Sequence, residues 1–171
     1  MIRVISGEIK KLRDRIAKVE DALGRIPEEI TKLETELEKV RRSLAEKEQE
    51  VLRIARDIRE KEHLFRELKQ RILYQDKYLR RADSPREYER LLTEREKLTS
   101  KAFEVSGEIS ELRNRYDKLK TEEMELYERE QELESKLYRL RREYGALLNE
   151  LRGLTQLLER RIREIEEKFS L

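Results

Sequence analysis

The chain has 171 residues, of which 47% are charged and 36% hydrophobic, whereas an ordinary globular domain has about 25% charged and roughly 45 to 50% apolar residues. Five glycines and two prolines are too few turn residues for a β-sandwich, a barrel or an α/β fold. The 41 basic and 39 acidic residues nearly cancel, to a formal charge of +2, which is typical of a solvated surface and not of a polyanion site. The composition therefore predicts an all-α fold built from long helices.

The composition also excludes most kinds of catalytic and metal site. Without cysteine the chain has no disulfide, thiolate nucleophile or cysteine zinc site, and the single histidine leaves a His-based metal site without further ligands. No Gly-rich phosphate loop or nucleophile elbow occurs. We therefore expect no enzyme activity, no cofactor and no metal. The absence of a signal-peptide stretch and of a membrane-spanning run predicts a cytoplasmic protein that makes no membrane contact.

A first long helix is predicted from apolar residues that recur every 3.5 positions between Ile5 and Leu79. Nineteen of the 22 positions in this repeat are apolar, where the overall hydrophobic content would give about eight. The polar exceptions are Lys47, Lys61 and Gln75. So sustained a repeat predicts the seam of a left-handed coiled coil.

The segment Gly24-Arg25-Ile26-Pro27 interrupts this repeat without changing its phase. Leu23, Ile26 and Ile30 keep the three- and four-residue spacing across it. A loop would not need to conserve this spacing. The pattern therefore favours a kink inside one continuous helix. The alternative is that residues 1–23 fold back as a third helix.

A chain reversal is predicted at Ser84-Pro85-Arg86-Glu87. Ser84 can cap a helix, Pro85 suits the first helical position, and Glu87 completes a capping box. A short connection favours antiparallel neighbours. The predicted single domain is a two-helix coiled-coil hairpin. Its first arm is residues 1–82, kinked at 24–27, its tip turn is residues 83–84, and its second arm is residues 85–171.

The second arm carries the same repeat from Tyr88 to Leu158, with three polar exceptions in 21 positions. These exceptions are Arg95, Glu123 and Glu130. An antiparallel seam whose paired residue numbers add to 170 brings two opposite charges together.

That register pairs Lys47 with Glu123, whereas the alternative sum of 163 pairs Lys47 with Tyr116. The sum of 170 also places Gly145 opposite Arg25, the residue that follows Gly24. We therefore expect the small residues to allow a close approach of the helices at the kink.

The tip combines tyrosine and arginine, the residue types enriched in binding hot spots. The predicted partner-binding residues are Tyr78, Arg80, Arg81, Arg86 and Tyr88. The alternative is that Tyr88 fills the last core layer and that the others are ordinary surface residues.

A second candidate surface lies in the C-terminal part of the second arm. Leu148 and Leu157 widen its apolar stripe beyond what one partner helix covers, and an uncovered stripe is usually an interface. A homodimer, a different protein or a folded-back N-terminal segment could cover it. Nucleic acid is a disfavoured partner, because glutamates interrupt the basic faces and no groove-reading motif occurs.

Two stretches of the sequence resemble the bacterial four-cysteine zinc-ribbon coiled-coil proteins. One is Arg25-Ile26-Pro27-Glu28-Glu29, continuing through Leu33 and Leu37, and the other is Arg86-Glu87-Tyr88, continuing through Leu91 and Glu94. The family ends in a zinc ribbon with two cysteine pairs, which this sequence lacks, so we expect either a fragment or a relative without the ribbon. The resemblance implies a cytoplasmic adaptor linked to sigma-factor regulation or to flagellar or type III secretion assembly.

Together these features favour a non-enzymatic adaptor that binds protein partners through its tip and its C-terminal apolar face. A purely structural spacer or scaffold is the first alternative, and a nucleic-acid-binding protein is the second. The sequence does not name the partner.

Overall fold

The computed structural model describes residues 2–169, and they form two long α-helices. Helix α1 comprises the 79 residues Ile2–Arg80, and helix α2 comprises the 85 residues Pro85–Phe169. The two helices pack against each other as a hairpin, and the described residues contain no strand. The predicted all-α hairpin is confirmed. Residues 1, 170 and 171, which belong to the predicted arms, lie outside the described residues.

Helix α1 continues through the Gly24–Pro27 interruption without reversing. Ile26 is buried, and Leu23 and Ile30 are half-buried, so the apolar seam passes through the interruption. The alternative with residues 1–23 folded back as a third helix is therefore wrong. Proline has no amide hydrogen to donate to the carbonyl group four residues earlier, which is the local cause of the kink predicted here.

The contacts between the helices divide the chain into two units. The terminal unit contains the stretch up to Arg41 and the stretch from Glu128 onward, and the tip unit is Arg42–Tyr127. A core cluster of the terminal unit consists of Leu37, Leu133 and Leu137, with Ile30, Leu33 and Val40 packed against it. A core cluster of the tip unit consists of Leu68, Ala102, Val105 and Ile109, with Leu64, Phe65, Ile72 and Leu98 packed against it.

The polar contacts between α1 and α2 show the register of the seam. In the tip unit, Lys47–Glu122 and Lys61–Glu108 are ion pairs whose residue numbers each add to 169. In the terminal unit four pairs add to 165 or 175, and they are Arg15–Glu150, Arg129–Glu36, Arg41–Glu134 and Arg141–Glu34. Two further pairs, Arg161–Glu8 and Arg41–Glu130, add to 169 and 171. A seam whose layers add to 170 produces these values. Two residues on the same flank add to five more or five fewer, and a seam residue that pairs with the neighbour of its opposite residue adds to one more or one fewer. The predicted register is confirmed in each unit, and the alternative of 163 is wrong.

The expected close approach of the helices at Gly145 is not present. A Cβ atom added at Gly145 or at Gly24 would meet nothing within 4 Å. The space arises because neither glycine belongs to the seam: the neighbouring seam positions, among them Leu23, Ile26 and Tyr144, carry the packing. The prediction of a close approach of the helices at Gly145 is therefore wrong.

Open space at a helical glycine makes alanine the better residue there. Gly24→Ala and Gly145→Ala are each expected to raise the free energy of unfolding by about 0.5 to 1 kcal/mol, because alanine loses less backbone entropy when the helix forms. Denaturant unfolding followed by circular dichroism measures the change. Gly107→Ala is the matched control, since its added Cβ is also free of contacts. Loss of stability in Gly145→Ala alone would show that the helices do approach closely there.

Candidate functional site

The ionisable residues of the seam are the first candidates for chemistry, and they form structural ion pairs. The Nζ atom of Lys47 lies 2.8 Å from Oε2 of Glu122, so Lys47 pairs with the residue beside its predicted partner Glu123. The Lys47 side chain is 30% exposed, and its long stem lets the ammonium group reach the wet edge of the seam. A charge kept at the seam centre would be desolvated instead. The predicted Lys47–Glu123 pair is therefore wrong.

Glu123 is left as a poorly satisfied buried carboxylate. The residue is 9% exposed, its Oε1 atom lies 3.8 Å from Nζ of Lys120, and its Oε2 atom has no hydrogen-bond partner among the described residues. A buried polar atom without a hydrogen bond costs free energy. Glu123 therefore weakens the seam in the tip unit.

Two neighbouring glutamates should respond to the same substitution with opposite signs. Glu123→Leu is expected to raise the free energy of unfolding by about 1 to 3 kcal/mol, because it removes a buried unsatisfied carboxylate and adds an apolar seam residue. Glu122→Leu should lower stability, because it removes the partner of Lys47. Urea unfolding of both variants checks the pair. Destabilisation by Glu123→Leu would show that the carboxylate is satisfied in solution.

Hydrogen bonding across the seam shifts the pKa values of two lysine–glutamate pairs. The hydrogen bond to Glu122 raises the pKa of Lys47, and the same bond lowers the pKa of Glu122. Lys61 and Glu108 shift each other's pKa values in the same directions for the same reason. Both pairs therefore favour the charged forms in the folded protein.

These shifts make the folded state sensitive to acid. A carboxyl group whose pKa is lowered by folding stabilises the protein above its unfolded-state pKa, near 4.3 for glutamate, and that contribution is lost as the pH falls through the folded-state value. Glu108→Gln with Glu122→Gln should therefore flatten the loss of stability below about pH 4. Urea midpoints measured against pH test this. The control is Glu111→Gln with Glu125→Gln, two exposed glutamates, and equal slopes in both double variants would contradict the assignment.

The tip turn is held by hydrogen bonds on both sides. After α1 ends at Arg80, the amide of Arg81 donates to the carbonyl of Tyr78 at 3.1 Å and that of Ala82 to the carbonyl of Leu79 at 3.4 Å. These bonds span three residues and tighten the chain into the reversal. The turn thus comprises residues 81–84, two residues more than the predicted 83–84.

The predicted cap at the start of α2 is present. The amide of Glu87 donates to Oγ of Ser84 at 3.2 Å, and the amide of Tyr88 donates to the Ser84 carbonyl at 3.0 Å. Pro85 is the first residue of α2, where its missing amide hydrogen breaks no helical bond. This cap gives the tip a defined backbone.

Three tyrosine rings are exposed around this turn. Tyr74, Tyr78 and Tyr88 are 59%, 58% and 46% exposed. Tyr88 occupies a seam position by sequence, but the register places it opposite Ala82, where α1 has already ended. Leu91, which is 7% exposed, is the first residue of α2 that the seam buries. The alternative in which Tyr88 fills the last core layer is therefore wrong.

The basic residues of the tip make no ion pairs within the described part of the chain. The ion pairs nearest to the turn are Arg95–Asp76 and His63–Glu67. Lys77 instead places its Nζ atom 5.6 Å from the centre of the Tyr74 ring. The exposed basic residues of the tip that form no ion pair with a described residue are Lys77, Arg80, Arg81, Arg86 and Arg90.

One exposed apolar residue of this region is absent from the predicted set. Leu73 is 63% exposed, next to Tyr74 and one turn before Lys77. Its position outside the seam repeat is visible in the sequence and could have identified it. A groove of about 350 Å³ is lined by Gln70, Leu73, Tyr74, Asp76, Lys77 and Arg80.

Within residues 2–169, no three His, Asp or Glu side chains converge as metal ligands, and no helix combines the length and apolar character needed to cross a membrane. The side chain of His63 is 73% exposed, and its Nε2 atom lies 3.1 Å from Oε1 of Glu67.

Comparison with known proteins gives one partial relative. A protein of the bacterium Aquifex aeolicus (strain VF5), described as an uncharacterized protein, is 70% identical over 95 residues, which are 56% of this chain and 53% of the relative. The chain thus spans about half the length of the curated relative it matches. No family model and no solved structure matches the sequence. The relation to the zinc-ribbon family therefore stays a prediction from sequence resemblance.

Proposed function

We propose that this protein is a non-enzymatic adaptor that binds protein partners through its hairpin tip. The observation that carries the proposal is the group of exposed tyrosines and unpaired arginines around a turn held by Ser84. The binding residues are Tyr78, Arg80, Arg81, Arg86 and Tyr88. Tyrosine and arginine supply large contact areas and charged hydrogen bonds, which is why they are enriched in hot spots.

The backbone of the tip supports binding because the turn is ordered before a partner arrives. The Ser84 cap and the hydrogen bonds to the carbonyls of Tyr78 and Leu79 hold both ends of the turn. A preorganised surface loses less conformational entropy on association than a flexible loop. Some basic groups along the arms, such as those of Arg41 and Arg113, are engaged by glutamates. At the tip, arginines that form no ion pair with a described residue lie beside exposed tyrosines.

The C-terminal apolar face is the second part of the proposal. Leu148 and Leu157 are 40% and 37% exposed, and Leu157 lines a groove of about 300 Å³ together with Leu12 and Leu154. A second copy of the chain would fit this apolar face, which makes a homodimer one outcome of the proposal. The resemblance to zinc-ribbon coiled-coil proteins suggests sigma-factor or secretion-assembly proteins as partners of the tip.

Reversal of two tip charges tests the proposal. Arg81→Glu with Arg86→Glu should abolish capture of the native partner in a tagged pull-down, since both guanidinium groups are exposed and without an ion pair. The helical signal and the melting temperature should stay nearly unchanged, because neither side chain packs in the seam. Circular dichroism checks both quantities.

The matched control reverses two exposed arginines of the arms, Arg53→Glu with Arg115→Glu. It changes the net charge by the same amount and should leave capture intact. Undiminished capture by the tip variant would show that the arms or the C-terminal face bind the partner. Equal loss in both variants would show that net charge, and not the tip, governs binding.

A further inference from the structure

The last turns of α1 expose a mixed apolar and basic surface that we call the outer tip face. Its residues are Leu73, Tyr74, Lys77, Tyr78 and Arg80. Leu73, Tyr74 and Tyr78 are each more than half exposed, although a leucine and two tyrosines are costly to leave in contact with water. The basic groups of Lys77 and Arg80 border them.

Helix geometry places this face away from α2. Ile72 and Leu79 belong to the seam, and at about 100° per residue Lys77 and Tyr74 point to the opposite side of α1. Leu73 and Lys77 are four residues apart, as are Tyr74 and Tyr78, so the two pairs form adjacent rows. The packing of the hairpin therefore cannot cover the outer tip face.

The charge of this segment is unlike that of the whole chain. Residues 69–81 contain five basic residues and one acidic residue, whereas the 171 residues together carry a formal charge of only +2. The acidic residue, Asp76, already accepts a hydrogen bond from Nε of Arg95. Basic groups therefore outnumber carboxylates within this segment of α1, and its one carboxylate is already paired.

We propose that the outer tip face binds an acidic amphipathic helix of a partner protein, an inference that rests on the proposed adaptor function and specifies its ligand. Apolar side chains of that helix would pack on Leu73 and the rings of Tyr74 and Tyr78. Its Asp and Glu residues would pair with Lys77 and Arg80. An amphipathic helix that lays its apolar face on an apolar surface is a recurring mode of peptide recognition, and complementary charges favour the correct partner.

Single-stranded nucleic acid fits the same surface less well. Bases stack on planar aromatic or guanidinium groups, whereas Leu73, which lines the groove, offers a branched aliphatic side chain. Such a side chain gains most from contact with other apolar side chains. The structure therefore favours a protein ligand.

Selection from a displayed library of random peptides tests the proposal while the partner itself is unidentified. The full chain is immobilised, and peptides of about four helical turns, roughly 15 residues, are selected on it. Enriched peptides should carry Asp or Glu beside apolar residues at helical spacing. Fluorescence anisotropy with synthetic copies should give a Kd that rises about tenfold or more in Leu73→Ser with Lys77→Glu.

The chain provides a closely matched control. Leu52 is 64% exposed and Arg56, four residues later on α1, is exposed. Leu52→Ser with Arg56→Glu repeats the same chemical change in the arm and should leave the Kd unchanged. Circular dichroism of both variants measures whether the hairpin is intact.

Three results would overturn the proposal. Selected peptides without acidic residues, or a Kd that does not change in the Leu73/Lys77 variant, would show that the ligand or the surface is wrong. Binding of labelled oligouridine that the same variant abolishes, with no peptide enriched, would identify a nucleic-acid site instead. If Arg81→Glu with Arg86→Glu weakens the peptides and the Leu73/Lys77 variant does not, the adaptor function of the tip stands and only the outer tip face is excluded.

Discussion

The structure depends on the burial of one apolar stripe on each helix. The residues that form the stripe recur about every 3.5 positions along the helix. The chain is too charged to form a wide core, so each helix buries only the strip that faces its partner. Leu133 and Val105 are completely buried, and Val19, Leu37 and Leu137 nearly so, because they lie at the centre of this strip. Residues one position away from the centre of the strip are largely exposed.

Charge pairing along the edges of the strip engages some of the ionisable residues of the arms. Glutamates and arginines on the same flank meet across the helices, as Arg41 and Glu134 do in the terminal unit and Arg113 and Glu62 do in the tip unit. Such exposed pairs add little stability individually, but they engage charges that a partner would otherwise use. Arg80, Arg81 and Arg86 at the tip form no such pair with a described residue.

The polar residues within the seam show how a narrow core accommodates charge. Lys47 and Lys61 reach acidic residues at the edge of the strip, whereas the shorter Glu123 cannot leave the strip and is buried with one oxygen unpaired. Each such layer weakens packing, and in coiled coils a polar layer also disfavours other registers. The length of the side chain decides which of these residues stays hydrated.

The sequence by itself determined the two helices and the Ser84 cap, because these follow from local periodicity and capping chemistry. It favoured the continuous path through Pro27 and the register of 170, and the tertiary structure excluded the alternatives to both. Only the tertiary structure decided that Lys47 pairs with Glu122, that Gly145 faces open space and that Tyr88 stays exposed. A repeat in the sequence gives the angular position of a residue on its own helix. The reach of a side chain and the end of the partner helix depend on both helices together, and these decide which atoms meet.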